Sequence, residues 1–199
     1  MEVNGKNIEP GVELIYVDLA GADLTGVDLN GANLFSANLS GANLSGANLS
    51  DTKLSGADLS NADLRDADLT GTNLLSVNLS GANLSGAKMD KSNLTGANLS
   101  GANLTGANLE DANLSGADLT GVNLAGTNLS GADLSGVCLA ETNLKGADLS
   151  GARMTGADLT GAKLPARPTP KVNVNDDSST NLERREVIKK VAPNGRKPG

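Results

Sequence analysis

The chain has 199 residues and a formal net charge of −7, with one Phe, one Tyr, one Cys and neither Trp nor His. Without His it lacks the commonest general base and transition-metal ligand, and one Cys can form neither an internal disulfide nor a Cys-rich zinc site. No segment has the length of a membrane span or the pattern of a secretory signal, so we expect a cytoplasmic protein with no cofactor and no metal.

Residues 1–11, MEVNGKNIEPG, precede the regular part of the chain. The bare end of a repeat array exposes unpaired backbone and an open apolar cross-section, which a terminal segment has to cover. We therefore predict that residues 1–11 form an N-terminal cap.

Residues 12–166 repeat every five positions. Stepping by five from Leu14 to Leu164 meets 31 positions, of which 29 are Leu and the others are Met89 and Met154. Two residues before each of these centres the residue is small or short, and two residues after it Gly is the usual occupant. An α-helix would wind the Leu series around its axis, and a flat strand would send alternate Leu side chains to opposite sides. The pattern therefore predicts a solenoid whose every unit turns a corner and directs its Leu to a shared interior.

Stretches such as GADLTGVDL and GADLSGARMTGADLTGAKL resemble the pentapeptide-repeat family, and the likeness extends over all 31 units. The resemblance implies an all-β solenoid, a right-handed quadrilateral parallel β-helix with four units, or 20 residues, in each coil. The 31 units would make about 7 to 8 coils. A duplication agrees with this register, because residues 31–47 and 71–87 are nearly the same and lie 40 residues, or two coils, apart.

The residue before each centre is usually Asn or Asp, and no two of these Asp residues are 20 positions apart. In a four-sided coil such acids would never stack on neighbouring coils, where like charges are destabilising. Because Asn and Asp interchange along the whole array, we expect these side chains to bond locally to the backbone. A cation site at Asp63, Asp66 and Asp68 is the alternative.

Residues 167–199 form a Pro-rich and then basic tail. Residues 165–199 carry eight Lys and Arg against four Asp and Glu, whereas residues 1–164 carry eight against nineteen. Thr180 and Glu183 have the spacing of a capping box, which predicts a short helix over residues 180–191. The helix either covers the last coil or is a docking arm for an acidic partner or nucleic acid. The contacts of such an arm would be Arg184, Arg185, Lys189 and Lys190.

Four apolar residues fall at outward positions near the start of the array. Ile15, Phe35 and Leu75 each follow a centre and lie 20 or 40 residues apart, so one face would carry all three, with Tyr16 beside them. They predict a contact patch for a partner or a second copy, unless the N-terminal segment folds over it. Cys138 also points outward, and without a visible partner residue it is interpreted as an idle thiol.

The sequence shows no catalytic constellation, so we do not expect an enzyme. We expect a rigid scaffold that binds another protein, of unknown identity, through its outer faces. We expect neither membrane attachment nor direct nucleic-acid binding by the acidic rod. Two alternatives are a purely structural rod in a larger assembly and an acidic DNA mimic acting on DNA gyrase, which the quinolone-resistance members of the family imply. Those members also imply a homodimer joined through an end of the solenoid.

Overall fold

The repeat folds as the solenoid that its period predicts. The computed structural model describes residues 2–3 and 5–165. The residue before each centre pairs in parallel with the residue 20 positions later, from Glu13 with Asn33 to Asn143 with Lys163. Each coil therefore contains four pentapeptides, one on each side. The fold is a right-handed quadrilateral β-helix of about 7 to 8 coils, which confirms the predicted fold class.

A small hairpin precedes the first coil. Strands β1 (Glu2–Val3) and β2 (Lys6–Asn7) pair antiparallel. Ile8 follows β2 and is only 3% exposed, because it packs into the apolar interior of the solenoid. This burial favours a capping role for the segment. The domain division into a cap at 1–11, an array at 12–166 and a tail at 167–199 stays a prediction.

Each corner of the coil is a turn closed by a backbone hydrogen bond. At one corner the N–H of Ala42 donates to the carbonyl oxygen of Leu39 at 3.0 Å, and Gly41 between them has a φ of +64°. A positive φ at the third position of a turn is what type II turns require, and Gly adopts it without strain. This requirement explains why Gly recurs two residues after the centres.

The interior consists of the centres and of the small residues two positions before them. Every centre from Leu14 to Met154 is buried, and the residues two positions before are buried from Val17 to Ala157, except Ala22. Buried hydroxyls find backbone partners: Thr72 and Thr127 donate to the carbonyl oxygens of residues 49 and 104 at 2.9 and 2.8 Å. No aromatic ring is needed in so narrow a space.

The two ends of the described solenoid differ. In the first coil Leu14 is buried while Val12 and Ala22 are partly exposed, whereas in the last coil the centres Leu159 and Leu164 are themselves partly exposed. Across the described residues, no helix is long and apolar enough to cross a lipid bilayer.

Candidate protein-contact surface

The four sides of the coil carry different charges. We name them face 1 to face 4, built from the pentapeptides centred on Leu14, Leu19, Leu24 and Leu29 and on every twentieth residue after each. Face 2 carries the carboxylates of Asp18, Asp58, Asp118, Glu141 and Asp158 and, over the described residues, neither Lys nor Arg. Face 4 carries two bases, Lys88 and Lys91. It carries seven acids: Asp28, Asp51, Asp68, Asp90, Glu110, Asp111 and Asp148. Faces 1 and 3 carry equal numbers of acids and bases, so the negative charge of the array lies on two opposite sides.

Neutral face 1 carries four exposed apolar side chains, which we call the apolar patch. Ile15 is 45% exposed, Tyr16 72%, Phe35 41% and Leu75 41%. The rings of Tyr16 and Phe35 meet edge to face, with centroids 5.8 Å apart and an interplanar angle of 80°. Such ring pairs are mutually stabilising, so the two aromatic side chains hold each other in place. The N-terminal hairpin leaves all four side chains accessible.

Tyr16 occupies a corner position that elsewhere favours Gly. Its φ is +56°, in the left-handed region. A residue with a side chain pays about 1–2 kcal/mol for this conformation, and a ring that is 72% exposed recovers little of that by burial. Eight other corners also hold a residue other than Gly at a positive φ, Ser36 and Ser76 on face 1 among them, so the exposed ring is what distinguishes Tyr16.

The apolar patch borders the acidic face 2. Asp18 lies two residues after Tyr16, and its Oδ1 accepts the N–H of Ala20 at 3.2 Å and the amide of Asn38 at 3.0 Å. Two coils further, Asp58 Oδ1 accepts the N–H of Ser60 at 2.9 Å. These bonds hold the carboxylates in place and leave their negative charge facing solvent. The surface thus joins an apolar strip to a negative strip along one edge of the rod.

The same two bonds recur along the array. An Asn or Asp oxygen accepts the N–H two residues later, as Asn43 does from Ser45 at 3.1 Å. Asn amides also reach the preceding coil, as Asn128 does to Asn108 at 2.9 Å. The local backbone bonding predicted from the sequence is therefore confirmed.

Two of the three acids of the alternative cation site face cations of the chain. The guanidinium of Arg65 bonds to Asp63 and lowers the pKa of that carboxyl, while Asp68 faces Lys88 at 3.6 Å. Among the described residues no group of His, Cys, Asp and Glu could hold a metal ion. Cys138 is partly buried, with Sγ 3.2 Å from the hydroxyl of Thr120.

The predicted helix at 180–191 lies outside the residues that the structure describes. So do the predicted basic contacts, Arg184, Arg185, Lys189 and Lys190.

The segregation of charge by face was not predicted from the sequence. Its signal is present in the register, because sorting the charged residues by their position within each 20-residue coil assigns them to faces. The left-handed backbone at Tyr16 could also have been found from the register, because Tyr stands there in the place of the usual Gly.

Comparison with known proteins identifies the family. The family of pentapeptide repeats matches in eight copies, over residues 13–51, 42–74, 97–136 and 127–164. A trypsin-treated variant of QnrB1, a plasmid-mediated fluoroquinolone resistance protein, is a similar solved structure, with 25% identity, a TM-score of 0.77, and 90% of this chain and 91% of that chain covered. No curated protein sequence matches the chain.

Two other solved pentapeptide repeat proteins are similar in sequence. HetL, involved in the regulation of heterocyst differentiation in the cyanobacterium Nostoc, shares 38% identity, with 79% of this chain and 85% of that chain covered and a TM-score of 0.42. A protein of the Arabidopsis thaliana thylakoid lumen shares 32% identity, with 62% and 78% covered and a TM-score of 0.40. With family matches over more than half of its length, the chain belongs to the pentapeptide repeat family.

Proposed function

We propose that the protein is a non-enzymatic, rigid scaffold that binds another protein through the apolar patch on face 1. The observation that carries the proposal is Tyr16, an aromatic residue that is 72% exposed and whose ring meets that of Phe35, also exposed, on the same face. Exposed aromatic side chains are typical of the residues that dominate protein interfaces.

The solenoid suits this role because its surface is preorganised. The interior is filled, and successive coils bond to each other through backbone groups, as Leu39 N–H does to the carbonyl oxygen of Asp58 at 2.7 Å. A surface held by such a framework loses little conformational freedom on binding, which lowers the free-energy cost of association. Repeat solenoids commonly offer extended surfaces of this kind.

Substitutions within the apolar patch test the proposal. We expect Phe35→Asp and Leu75→Asp to leave the far-UV circular dichroism unchanged, because both side chains point away from the interior. The assay captures the partner from a lysate of the source cells and identifies it by mass spectrometry. Each substitution should abolish this capture, because a charge in the centre of an apolar contact is costly to desolvate.

Ser115→Asp is the matched control. Ser115 occupies the equivalent position on face 1 two coils beyond Leu75, outside the apolar patch. This control should capture the partner as well as the wild type does. Equal capture by Phe35→Asp and wild type would contradict the proposed surface, and a rod that captures no protein at all would favour a purely structural role.

A DNA mimic acting on DNA gyrase is the second candidate. Two observations favour it: the carboxylates lie on opposite faces 2 and 4, and the similarity to the fluoroquinolone resistance protein QnrB1 extends over 90% of this chain. Charge density counts against it. On face 2, Asp18 and Asp58 are two coils apart, or about 10 Å at a coil spacing near 4.8 Å, whereas each strand of duplex DNA carries one charge per about 3.4 Å.

A supercoiling assay with purified gyrase, with and without a quinolone, separates the two candidates. A DNA mimic at micromolar concentration should inhibit supercoiling or protect the enzyme from the drug. The absence of both effects would exclude this candidate and leave the scaffold proposal intact.

A further inference from the structure

The N-terminal and C-terminal halves of face 1 are complementary to each other in size and in charge. We infer that two copies of the chain associate antiparallel through face 1, so that each half lies against the opposite half of the other copy. The two-fold axis of this dimer passes between the coils of Leu74 and Leu94. The inference goes beyond the proposed function, because it makes a second copy of the chain a competitor for the apolar patch.

The two halves of face 1 differ in the bulk of their outward side chains. In the N-terminal half the residues after the centres are Ile15, Phe35, Ser55 and Leu75. In the C-terminal half they are Thr95, Ser115, Ser135 and Thr155. The C-terminal half also has a Gly at every corner: Gly96, Gly116, Gly136 and Gly156.

The antiparallel arrangement places bulky side chains over small ones. Tyr16 lies on Gly156 of the second copy, and Phe35 lies on Ser135 of the second copy. Leu75 lies on Thr95 in the same way. Large side chains thus enter the space that small ones leave, which gives the shape complementarity of a specific interface.

The charges of face 1 agree with the same register. Glu13 and Lys53 lie in the N-terminal half, and Asp133 and Arg153 lie in the C-terminal half. In the antiparallel dimer Glu13 faces Arg153 of the second copy, while Lys53 and Asp133 each face a neutral Asn. No two like charges of face 1 meet, and such complementarity sets the orientation of a contact.

Other arrangements of two copies are less favourable. In parallel copies the residue before each centre would face the residue after the centre, so Glu13 would lie on Ile15 and lose water without gaining a partner. Faces 2 and 4 each carry an excess of carboxylates and would repel. Among the described residues, face 3 has no exposed large apolar side chain. Face 1 is therefore the side on which two rods can pack.

The hydroxyl groups that the dimer covers are already hydrogen-bonded. Thr95 Oγ1 donates to Asn93 Oδ1 at 2.7 Å, and Ser115 Oγ donates to Asn113 Oδ1 at 2.8 Å. A polar group that keeps its hydrogen bond is much less costly to bury than an unpaired one. Leu75 on Thr95 therefore gains apolar burial without leaving a donor unpaired.

The size of the contact predicts a weak dimer. Face 1 extends over seven coil spacings from Glu13 to Arg153, about 34 Å at about 4.8 Å per coil. The distance from the residue before a centre to the corner residue is about 10 Å at about 3.3 Å per residue. The projected area of about 340 Å² per copy lies below the roughly 800 Å² of accessible surface that each partner buries in a stable complex. We therefore expect the dimer to dissociate on dilution.

Dimerisation regulates access to the apolar patch. The patch is covered in the dimer, so a partner protein binds the monomer. Its apparent affinity falls with the fraction of chains that are monomeric, and a high concentration of the chain opposes partner binding.

Cross-linking tests the register of the dimer. Two proteins with the Cys138→Ser background, which removes the native thiol, carry Ser55→Cys and Ser115→Cys respectively. Ser55 and Ser115 face each other between copies, and packed β faces lie about 10 Å apart, a gap that a short bismaleimide spans. At high protein concentration we expect a cross-linked dimer when the two proteins are mixed and none when either is treated alone. A cross-linked dimer of either protein alone, or none from the mixture, would overturn the inference.

A substitution outside the apolar patch tests the strength of the contact. Ser135 faces Phe35 of the second copy, so Ser135→Asp forces a carboxylate to lose water against an aromatic ring. Sedimentation velocity over a concentration series should show a dissociation constant at least tenfold higher than that of the wild type. The matched control is Ser85→Asp, at the same position after the centre on face 3, and it should dimerise like the wild type.

The two proposals fail in different assays. Ser135→Asp should capture the partner at least as well as the wild type does, because its apolar patch is intact. If no variant captures a partner while Ser135→Asp still weakens the dimer, the scaffold proposal fails and the dimer inference stands. A chain that stays monomeric at high concentration overturns the dimer inference alone. So does a dimer that Ser135→Asp leaves unchanged, as expected for association through the partly exposed end at Leu164.

Discussion

No two Asp residues at the position before the centre stack on neighbouring coils, and adding one such stack tests whether charge governs the order of Asn and Asp at that position. Asn98 lies between Asn78 and Asp118 on face 2. Its amide donates to Asn78 Oδ1 at 3.4 Å, and its Oδ1 accepts the N–H of Ser100 at 3.0 Å. Asn98→Asp keeps the acceptor, loses the amide, and puts a carboxylate one coil from Asp118.

The cost of the stack follows from the coil spacing. Two charges about 4.8 Å apart repel by about 0.9 kcal/mol in water and by about 3.5 kcal/mol at an effective dielectric constant of 20. Both side chains are exposed, so we expect a value near the lower figure, about 1 kcal/mol. Asn103→Asp is the matched control, because it loses an equivalent amide bond, 3.2 Å to Asn83 Oδ1, while its neighbours Asn83 and Asn123 are both neutral.

Urea unfolding followed by circular dichroism compares the two variants. At pH 7 and low salt, Asn98→Asp should be less stable than Asn103→Asp by about 1 kcal/mol. The difference should shrink at high salt, because dissolved ions screen the repulsion between exposed charges. Equal free energies of unfolding at pH 7 would refute the electrostatic explanation and leave the order of Asn and Asp to hydrogen bonding alone.

Two further predictions concern the interior and the turn carboxylates. Leu84→Ala in the middle of the rod should lower the free energy of unfolding by about 2–5 kcal/mol, since Leu84 is fully buried. If Leu84→Ala lowered the free energy of unfolding no more than Leu164→Ala does at the half-buried last coil, the continuous core would be contradicted. Side-chain hydrogen bonds from Thr25, Arg65 and Ser150 hold the pKa values of Asp23, Asp63 and Asp148 below their ordinary value. The stabilisation by these three ionised carboxylates is therefore complete above about pH 4 and is lost as pH falls through their lowered pKa values. A urea midpoint that stays constant or rises as pH falls from about 5 to about 2 would count against these hydrogen bonds.

The fold could be predicted almost completely, for a physical reason. A strict period of five with a large apolar residue in each unit leaves one compact solution, since helices and flat strands both scatter the Leu series. The four-sided register was implied by the family resemblance and agreed with the duplication at an offset of 40, and both Phe35 and Tyr16 were expected outside the core. Sequence alone could not show that the Tyr16 and Phe35 rings meet at 5.8 Å, because that contact depends on how two coils stack.

The division of labour within each pentapeptide explains where function can be found. The centre and the residue two before it fill the interior, and the Asn or Asp between them bonds to the backbone and to a neighbouring coil. The two residues after the centre do not fill the interior, and most of them are Ser, Thr and Gly; the second of them must adopt a positive φ, which favours Gly. The apolar patch consists entirely of departures from that background: Ile15, Tyr16, Phe35 and Leu75. In a solenoid of this regularity, function is therefore best sought at the positions where the repeat is free to vary.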